Sequence, residues 1–490
     1  MNNGFLYLLL ETLNSKKYNF FFYFLIFCFL VFGIILSISS KFYLDSSTIY
    51  SQDVPSYLLY PFFPISEALS SHRTMGFPAL LQSYILFDSD LSSLPFFLYL
   101  VYCLSITYLF FSLHRLKIKP LVTLSVALAM LFNYSFVSGI NTLTASTLVS
   151  ILMVLILALT FRIKDRVKFF SMTALTILTF FVYQTRPNLA PIIFLIPIWI
   201  FLINYFLSKN TFKQSLKLGS LNLSINIFLL GLFLLSRVLI VSEFGMASFS
   251  GTVLSGQALS YYDKNENYNF SQNQKILIDK ISEKRKLISY PCNKDVSKLT
   301  NQDRHECGNV WIMTAWLTSI KHFYGEEPSK ISAENIEPWK IMELGPFLSR
   351  NNVRVDNALG DFSSRVILSH PQLALSRGLF ELRFAFQGLL ELFATKIVYF
   401  LPLLFGALLW IFRVFFIQRT DQIGLKAIPN SKEFTLLLLF LFISLSYMLL
   451  LILIPSFMLH LDYRYIYGSS IFFLIPIFLF LTTSFILDKD

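Results

Sequence analysis

Charged residues are scarce in this sequence. Of its 490 residues, only 14% are Asp, Glu, Lys or Arg, whereas 55% are hydrophobic. In soluble domains roughly a quarter of the residues are charged. A chain so poor in charge cannot cover a folded surface that faces water on all sides. The composition therefore predicts an integral membrane protein.

Glycine-rich phosphate loops and ribbons of alternating aromatic and basic residues are also lacking, although the formal net charge is +11. In a soluble protein that charge would suggest nucleic acid. Here the basic residues stand in short segments between apolar runs, as the positive-inside rule describes. We predict membrane lipids around the chain and no nucleic-acid partner.

Ten apolar segments approach the roughly 20 residues that a helix needs to cross about 30 Å of hydrocarbon. They are 18–40, 93–113, 120–138, 143–161, 169–185, 187–207, 219–241, 393–412, 434–455 and 469–487. The first exceeds the apolar core of a signal peptide and is expected to be retained. The predicted fold class is an all-α polytopic membrane protein with about ten transmembrane helices.

Basic residues predict the orientation. With a cytoplasmic N-terminus, the short outer loops hold only Lys41, Arg73, Arg186 and Arg464. The inner segments hold Lys16, Lys17, Arg115, Lys117, Lys119, Arg162, Lys164, Arg166, Lys168, Lys209, Lys213, Lys217, Arg413, Arg419, Lys426 and Lys432. The positive-inside rule then places both termini in the cytoplasm, at an inner or plasma membrane.

Two segments are then large and extracytoplasmic. The first, 41–92, contains a stretch at 65–81 that is predicted to form short helices on the membrane surface. The second, 242–392, is much more polar and long enough for a small α-rich domain. The predicted organisation is an N-terminal transmembrane module at 1–241, a large loop domain at 242–392 and C-terminal transmembrane helices at 393–490.

The cysteines are few, and two of the four fall inside apolar spans. Cys292 and Cys307 both lie in the second outer segment, where an oxidising compartment would allow a disulfide. The alternative is a zinc site that adds His305 and Glu306. Adjacent side chains seldom converge on one metal, so the disulfide is favoured.

Four short motifs place polar residues at the outer membrane face, where a charge usually has a partner or a task. They are Gln52-Asp53-Val54-Pro55-Ser56-Tyr57, His72-Arg73-Thr74-Met75-Gly76-Phe77-Pro78, Thr185-Arg186-Pro187 and His460-Leu461-Asp462-Tyr463-Arg464-Tyr465. Asp53 can act as a general base toward a hydroxyl group. Alternatively, it is a solvated carboxylate or a helix cap.

The arginines of these motifs have two interpretations each. Arg73 precedes a Gly-Phe-Pro sequence that suits an abrupt turn, and a guanidinium group there can bind phosphate or anchor a lipid headgroup. Arg186 and Arg464 can do the same, with Tyr463 and Tyr465 in the aromatic belt. Together the motifs predict one carboxylate and three cations on one face, which suits a lipid-phosphate leaving group.

This arrangement resembles the GT-C superfamily of membrane glycosyltransferases, which includes the aminoarabinose transferase and the protein O-mannosyltransferases. The resemblance rests on Asp53, Tyr57, Arg73, Gly76, Phe77, Pro78, Thr185-Arg186-Pro187, His370-Pro371 and Arg464-Tyr465. Many relatives carry a second acidic residue where this chain reads Asn141-Thr142-Leu143-Thr144-Ala145-Ser146. That departure leaves divalent metal without support, and no cofactor is predicted.

The resemblance implies an inverting transfer from a polyprenyl-phosphate sugar donor to a glycan, lipid or protein acceptor. It makes Asp53 the catalytic base and gives the donor phosphate to Arg73, Arg186 and Arg464. The substrate-binding residues would be Tyr57, His72, Tyr463 and Tyr465. Two alternatives stay open. One is an O-antigen polymerase or ligase, and the other is a transporter or flippase, which would carry charges nearer the bilayer centre.

Overall fold

The structure is a computed structural model. It describes residues 23–28, 30–32, 54–131, 133, 136, 140, 144–163, 169–208, 210–248, 250–325, 338–395, 432–458, 472 and 475–479. Within these ranges the regular elements are helices, and no β-strand occurs. The predicted all-α class is therefore confirmed for the part of the chain that is described.

Three short helices open the described chain after its first apolar stretch. They are α1 (Val54–Leu58), α2 (Ile65–Ser70) and α3 (Gly76–Ile85). Apolar helices follow as α4 (Leu94–Arg115), α5 (Pro120–Leu131), α6 (Ala145–Arg162), α7 (Phe169–Thr185), α8 (Ile192–Leu207) and α9 (Phe212–Val241). A 3₁₀ turn at Pro187–Leu189 separates α7 from α8.

The next five helices are more polar and form a unit that we call the α10–α14 unit, residues 250–395. They are α10 (Ser250–Leu259), α11 (Gln272–Lys286), α12 (Asn301–Tyr324), α13 (Pro338–Ser369) and α14 (Pro371–Thr395). A last long apolar helix is α15 (Lys432–Met458).

Four helical segments of the described chain are long and apolar enough to cross a membrane. They are Leu94–Arg115, Ala145–Arg162, Phe212–Val241 and Phe434–Leu453. Shorter apolar helices occur at Tyr23–Phe32, Pro120–Leu131, Phe170–Thr185 and Ile192–Leu207. These eight coincide with predicted spans, whereas 393–412 and most of 469–487 lie outside the described residues. The count of ten spans and the orientation stay predictions.

Local sequence explains several helix ends. Thr211 and Gln214 form a capping box that starts α9, with the Gln214 amide 3.3 Å from the Thr211 hydroxyl oxygen. Ser271 with Gln274 and Thr300 with Asp303 start α11 and α12 in the same way. Such boxes satisfy backbone N–H groups that have no partner inside the helix.

Two separate hydrophobic clusters hold the fold. The larger one buries side chains of α4 to α8 and α15, such as Leu109, Ile156 and Trp199. The second is built within the α10–α14 unit, around Trp311, Leu359 and other residues between 258 and 366. The unit therefore has its own apolar core, as a folded domain requires.

The apolar helices and the α10–α14 unit meet near the C-terminal end of α9. Helix α2 contacts both α9 and α13, and the Ser248 amide donates to the Ser71 carbonyl at 3.2 Å. The helix pair α10 and α13 crosses at Gly251, where a Cβ atom would collide with the Asp356 carbonyl and the backbone of Gly360. Only glycine allows this close crossing.

Candidate functional site

Arg73 is fixed by two residues of α1. Its Nε donates to the Ser56 hydroxyl at 2.8 Å, and its guanidinium carbon lies 4.7 Å from the centre of the Tyr57 ring. Tyr57 in turn packs edge-on against Phe77, with ring centroids 5.0 Å apart. Cation–π and hydrogen-bond contacts together give the arginine a defined position.

The loop at residues 71–75, which we call the Arg73 loop, lies directly against the end of α7. A Cβ atom on Gly76 would stand 2.8 Å from the Gln184 carbonyl and would collide with the Thr185 hydroxyl. The sequence had suggested a turn at Gly-Phe-Pro. Instead the bends lie at residues 71–73 and 75, and Gly76 begins α3. Glycine is required there by close packing.

This packing brings two predicted motifs together. Helix α7 ends at Thr185 because Pro187 has no N–H to continue it, and Arg186 precedes the 3₁₀ turn. Arg73 and Arg186 are both half-buried. They thus belong to two segments that meet at the C-terminal end of α7.

Four predicted site residues cannot be placed. Asp53, Tyr463, Arg464 and Tyr465 lie outside the described residues. Asp53 immediately precedes α1 in the sequence, and α1 supplies the Ser56 and Tyr57 contacts to Arg73. The roles of these four residues stay predictions.

His72 joins the site to the α10–α14 unit. Its Nδ1 lies 3.3 Å from Nδ2 of Asn352, and its ring is 6.2 Å from the Trp316 ring. Trp316 Nε1 donates to Asn352 Oδ1 at 3.1 Å. Asn352 and Trp316 were not predicted from the sequence, because no local pattern links α12 and α13 to a loop some 280 positions away.

A second missed group is the buried cation Arg237. It is 1% exposed, and its Nη2 lies 2.6 Å from Glu243 Oε2 and 3.0 Å from the Ser248 hydroxyl. Ser248 is also bonded to Glu243 and, through its amide, to Ser71 next to His72. An arginine within an apolar span was the available signal, since such charges rarely stand unpaired.

Asp356 lies buried close to this cluster. Its Oδ1 accepts from the Thr252 amide at 2.7 Å. Burial raises the pKa of Asp356 to about 6, against the lowering effect of that hydrogen bond. Burial likewise raises the pKa of Tyr60 to about 12, and the charge of Arg237 partly opposes the shift. The first predicted outer segment, 41–92, thus lies against a cluster of buried ionisable residues.

His370 and the two cysteines belong to the α10–α14 unit rather than to this junction. His370 Nε2 lies 3.0 Å from the Tyr268 hydroxyl and 3.1 Å from Glu266. Cys292 and Cys307 are joined by a disulfide, with their Cα atoms 5.3 Å apart. His305 is 2.8 Å from Glu381. Among the described residues, no three His, Cys, Asp or Glu side chains group as metal ligands.

An apolar groove runs between α7 and α9. Its volume is about 380 Å³, and its lining consists of Met172, Thr173, Thr176, Ile177, Leu221, Ile225 and Leu229. The two helices run in parallel, since Asn222 contacts Met172 while Phe233 contacts Phe180. The helix ends that carry Arg186 and Arg237 therefore lie on the same side, roughly 13 Å beyond the groove at 1.5 Å per residue.

Comparison with protein-family models, with curated proteins and with solved structures found no match to this chain.

Proposed function

We propose that the chain is an inverting membrane glycosyltransferase that uses a polyprenyl-phosphate sugar donor at the extracytoplasmic face. The observation that carries the proposal is the junction of the Arg73 loop with the end of α7. Two distant motifs, predicted from sequence to bind one phosphate, lie on segments in contact. A guanidinium group matches phosphate geometry and remains charged at all physiological pH values.

The groove supports a lipid-linked donor. Its lining is apolar, and α9 presents many exposed large side chains such as Phe228, Leu235 and Leu239. About 380 Å³ has room for on the order of a dozen water-sized groups, enough for part of a hydrocarbon chain. A polyprenyl chain held in the groove would direct its phosphate end toward the ends of α7 and α9 that lie near Arg186 and Arg237.

In the proposed reaction, the acceptor hydroxyl loses its proton to Asp53 and its oxygen forms a bond to C1 of the sugar. The bond between C1 and the phosphate oxygen breaks, and its electron pair leaves with the phosphate. Arg73, Arg186 and Arg464 stabilise the charge that develops there. Phosphate is a good leaving group, so one base on the acceptor side is sufficient. The acceptor is a glycan, a lipid or a protein.

The test is transfer by the purified protein in nanodiscs, supplied with a polyprenyl-phosphate monosaccharide. Asp53→Asn should abolish transfer, and Arg73→Gln should lower kcat/KM by about 100-fold, as expected for loss of a charged contact. Asp90→Asn is the matched control, because Asp90 is an exposed carboxylate of the same loop. Near-normal turnover by Asp53→Asn contradicts the mechanism, and turnover with only an oligosaccharide diphosphate donor favours the polymerase or ligase alternative.

A further inference from the structure

We infer that Asn352 and Trp316 hold His72 as a neutral imidazole whose proton is on Nε2. His72 then serves the site as a fixed, uncharged hydrogen-bond donor beside Arg73. The chemical state follows from hydrogen-bond directions alone. Its use by the enzyme rests on the proposed function, and NMR of the ring and the transfer assay test the two separately.

The contact with Trp316 fixes the orientation of the Asn352 amide. An indole Nε1–H can only donate, and Trp316 Nε1 lies 3.1 Å from Asn352 Oδ1. The oxygen of the amide must therefore face Trp316. The NH₂ group is left on the side of His72, so the orientation is decided by chemistry rather than by a choice between two similar atoms.

The Asn352 amide in turn fixes the tautomer of the His72 ring. The Asn352 NH₂ group can only donate, and it lies 3.3 Å from His72 Nδ1. Nδ1 must therefore accept, which requires that it carry no proton. A neutral imidazole with an unprotonated Nδ1 carries its proton on Nε2. Protonating Nδ1 would set two donors against each other.

Burial makes this arrangement costly to change. Asn352 is 2% exposed, so water cannot easily replace a lost partner, and a buried amide without a partner is unfavourable. Charged residues of both signs flank the contact in the sequence: Arg73 follows His72, and Arg354 and Asp356 follow Asn352 on α13.

Arg73 and His72 therefore have different roles in the site. Arg73, held by Ser56 and Tyr57, supplies a permanent positive charge. His72 adds a donor without a second charge, which suits a sugar hydroxyl or a bridging oxygen. Trp316 and Asn352 are positioning residues, because they act through His72. The α10–α14 unit thereby sets the chemical state of a residue in the first loop.

The direct test is ¹⁵N NMR of the full-length protein with ring-labelled histidine in nanodiscs. The chain has only six histidines, and His72→Gln assigns the signal. At pH 7 we expect the wild type to show one protonated nitrogen, Nε2, and one unprotonated nitrogen, Nδ1. Asn352→Asp should produce a doubly protonated ring, because a carboxylate accepts from both Trp316 and His72. Trp316→Phe should give a mixture of tautomers.

The control is Asn301→Asp, the same exchange at a residue of α12 that contacts Ser376 instead, and it should leave the His72 signal unchanged. A wild-type ring that is doubly protonated or protonated on Nδ1 overturns the inference, as does an unchanged signal in Asn352→Asp. In the transfer assay, Asn352→Asp should raise the donor KM roughly tenfold, about the value of one hydrogen bond. An unchanged KM, with the NMR result as expected, refutes the positioning role while leaving the tautomer standing.

Discussion

Arg237 and Arg377 are the least exposed arginines among the described residues, at 1% and 2%, but they are bonded differently. Arg237 makes a short pair with Glu243, 2.6 Å, and a hydrogen bond to Ser248, although its Nε has no hydrogen-bond partner. Arg377 Nε stands 3.6 Å from Glu381 Oε1, and its Nε and Nη1 have no hydrogen-bond partner. Equal burial therefore does not imply equal bonding.

The difference follows from where the partners lie. Arg237, on α9, reaches a loop that also binds Ser71 through Ser248, so its pair connects the apolar helices, the first loop and the start of the α10–α14 unit. Arg377 and Glu381 are four residues apart on α14 alone. A buried pair between segments fixes their arrangement, whereas a pair within one helix adds little to what the helix already fixes.

The largest expected effect comes from Arg237→Met. Removing one partner leaves the buried Glu243 charge uncompensated, which costs about 3–5 kcal/mol. The free energy of unfolding in mixed detergent, followed by SDS titration, should fall by this amount. Arg237→Met combined with Glu243→Gln should recover much of the loss, because the uncompensated charge is gone. A loss no larger than that of Arg377→Met would remove the distinction drawn between the two arginines.

Asp356 offers a smaller effect that depends on pH. Its pKa is raised from 3.8 to about 6 by burial, so the folded state binds a proton more tightly than the unfolded state. The contribution of Asp356 to stability is therefore complete below about pH 4 and is lost as the pH rises through about 6. Two pK units correspond to on the order of 2–3 kcal/mol. Asp356→Asn should abolish this loss, as shown by unfolding titrations at pH 4 and pH 7.

Asp361 provides the opposite control on the same helix. Burial raises the pKa of Asp361, but hydrogen bonds from Gln274 and Arg365 outweigh this effect and lower it overall. This carboxylate therefore stabilises the fold as the pH rises, and Asp361→Asn should remove that gain. If Asp356→Asn and Asp361→Asn changed the pH dependence of stability in the same direction, the burial of Asp356 would not explain its pH dependence.

The sequence could predict those features that depend on neighbouring residues. Long apolar runs placed the helices of 1–241 well, because spanning length is a local property. Gly76 was noticed but given the wrong reason, since its close contact with Gln184 is a packing effect between segments. Arg237 was read as part of a span, because its partner Glu243 follows the apolar run. The His72–Asn352 contact has no local signature at all.

The smallest expected effect comes from Arg377→Met, and it is the sharpest test of the comparison. Methionine has a similar length and needs no hydrogen bonds, whereas two guanidinium nitrogens of Arg377, Nε and Nη1, have no hydrogen-bond partner in the protein interior. Glu381 retains His305 at 2.8 Å as a partner after the exchange. Removing one partner of a buried pair is costly mainly because the remaining charge is left without a contact, and here His305 still contacts Glu381. We expect the free energy of unfolding to change by less than about 1 kcal/mol. Adding His305→Phe to Arg377→Met should be much more costly, because Glu381 then loses its last short contact. A large loss from Arg377→Met alone would show that the 3.6 Å contact of Arg377 with Glu381 is as important as the 2.6 Å pair of Arg237 with Glu243.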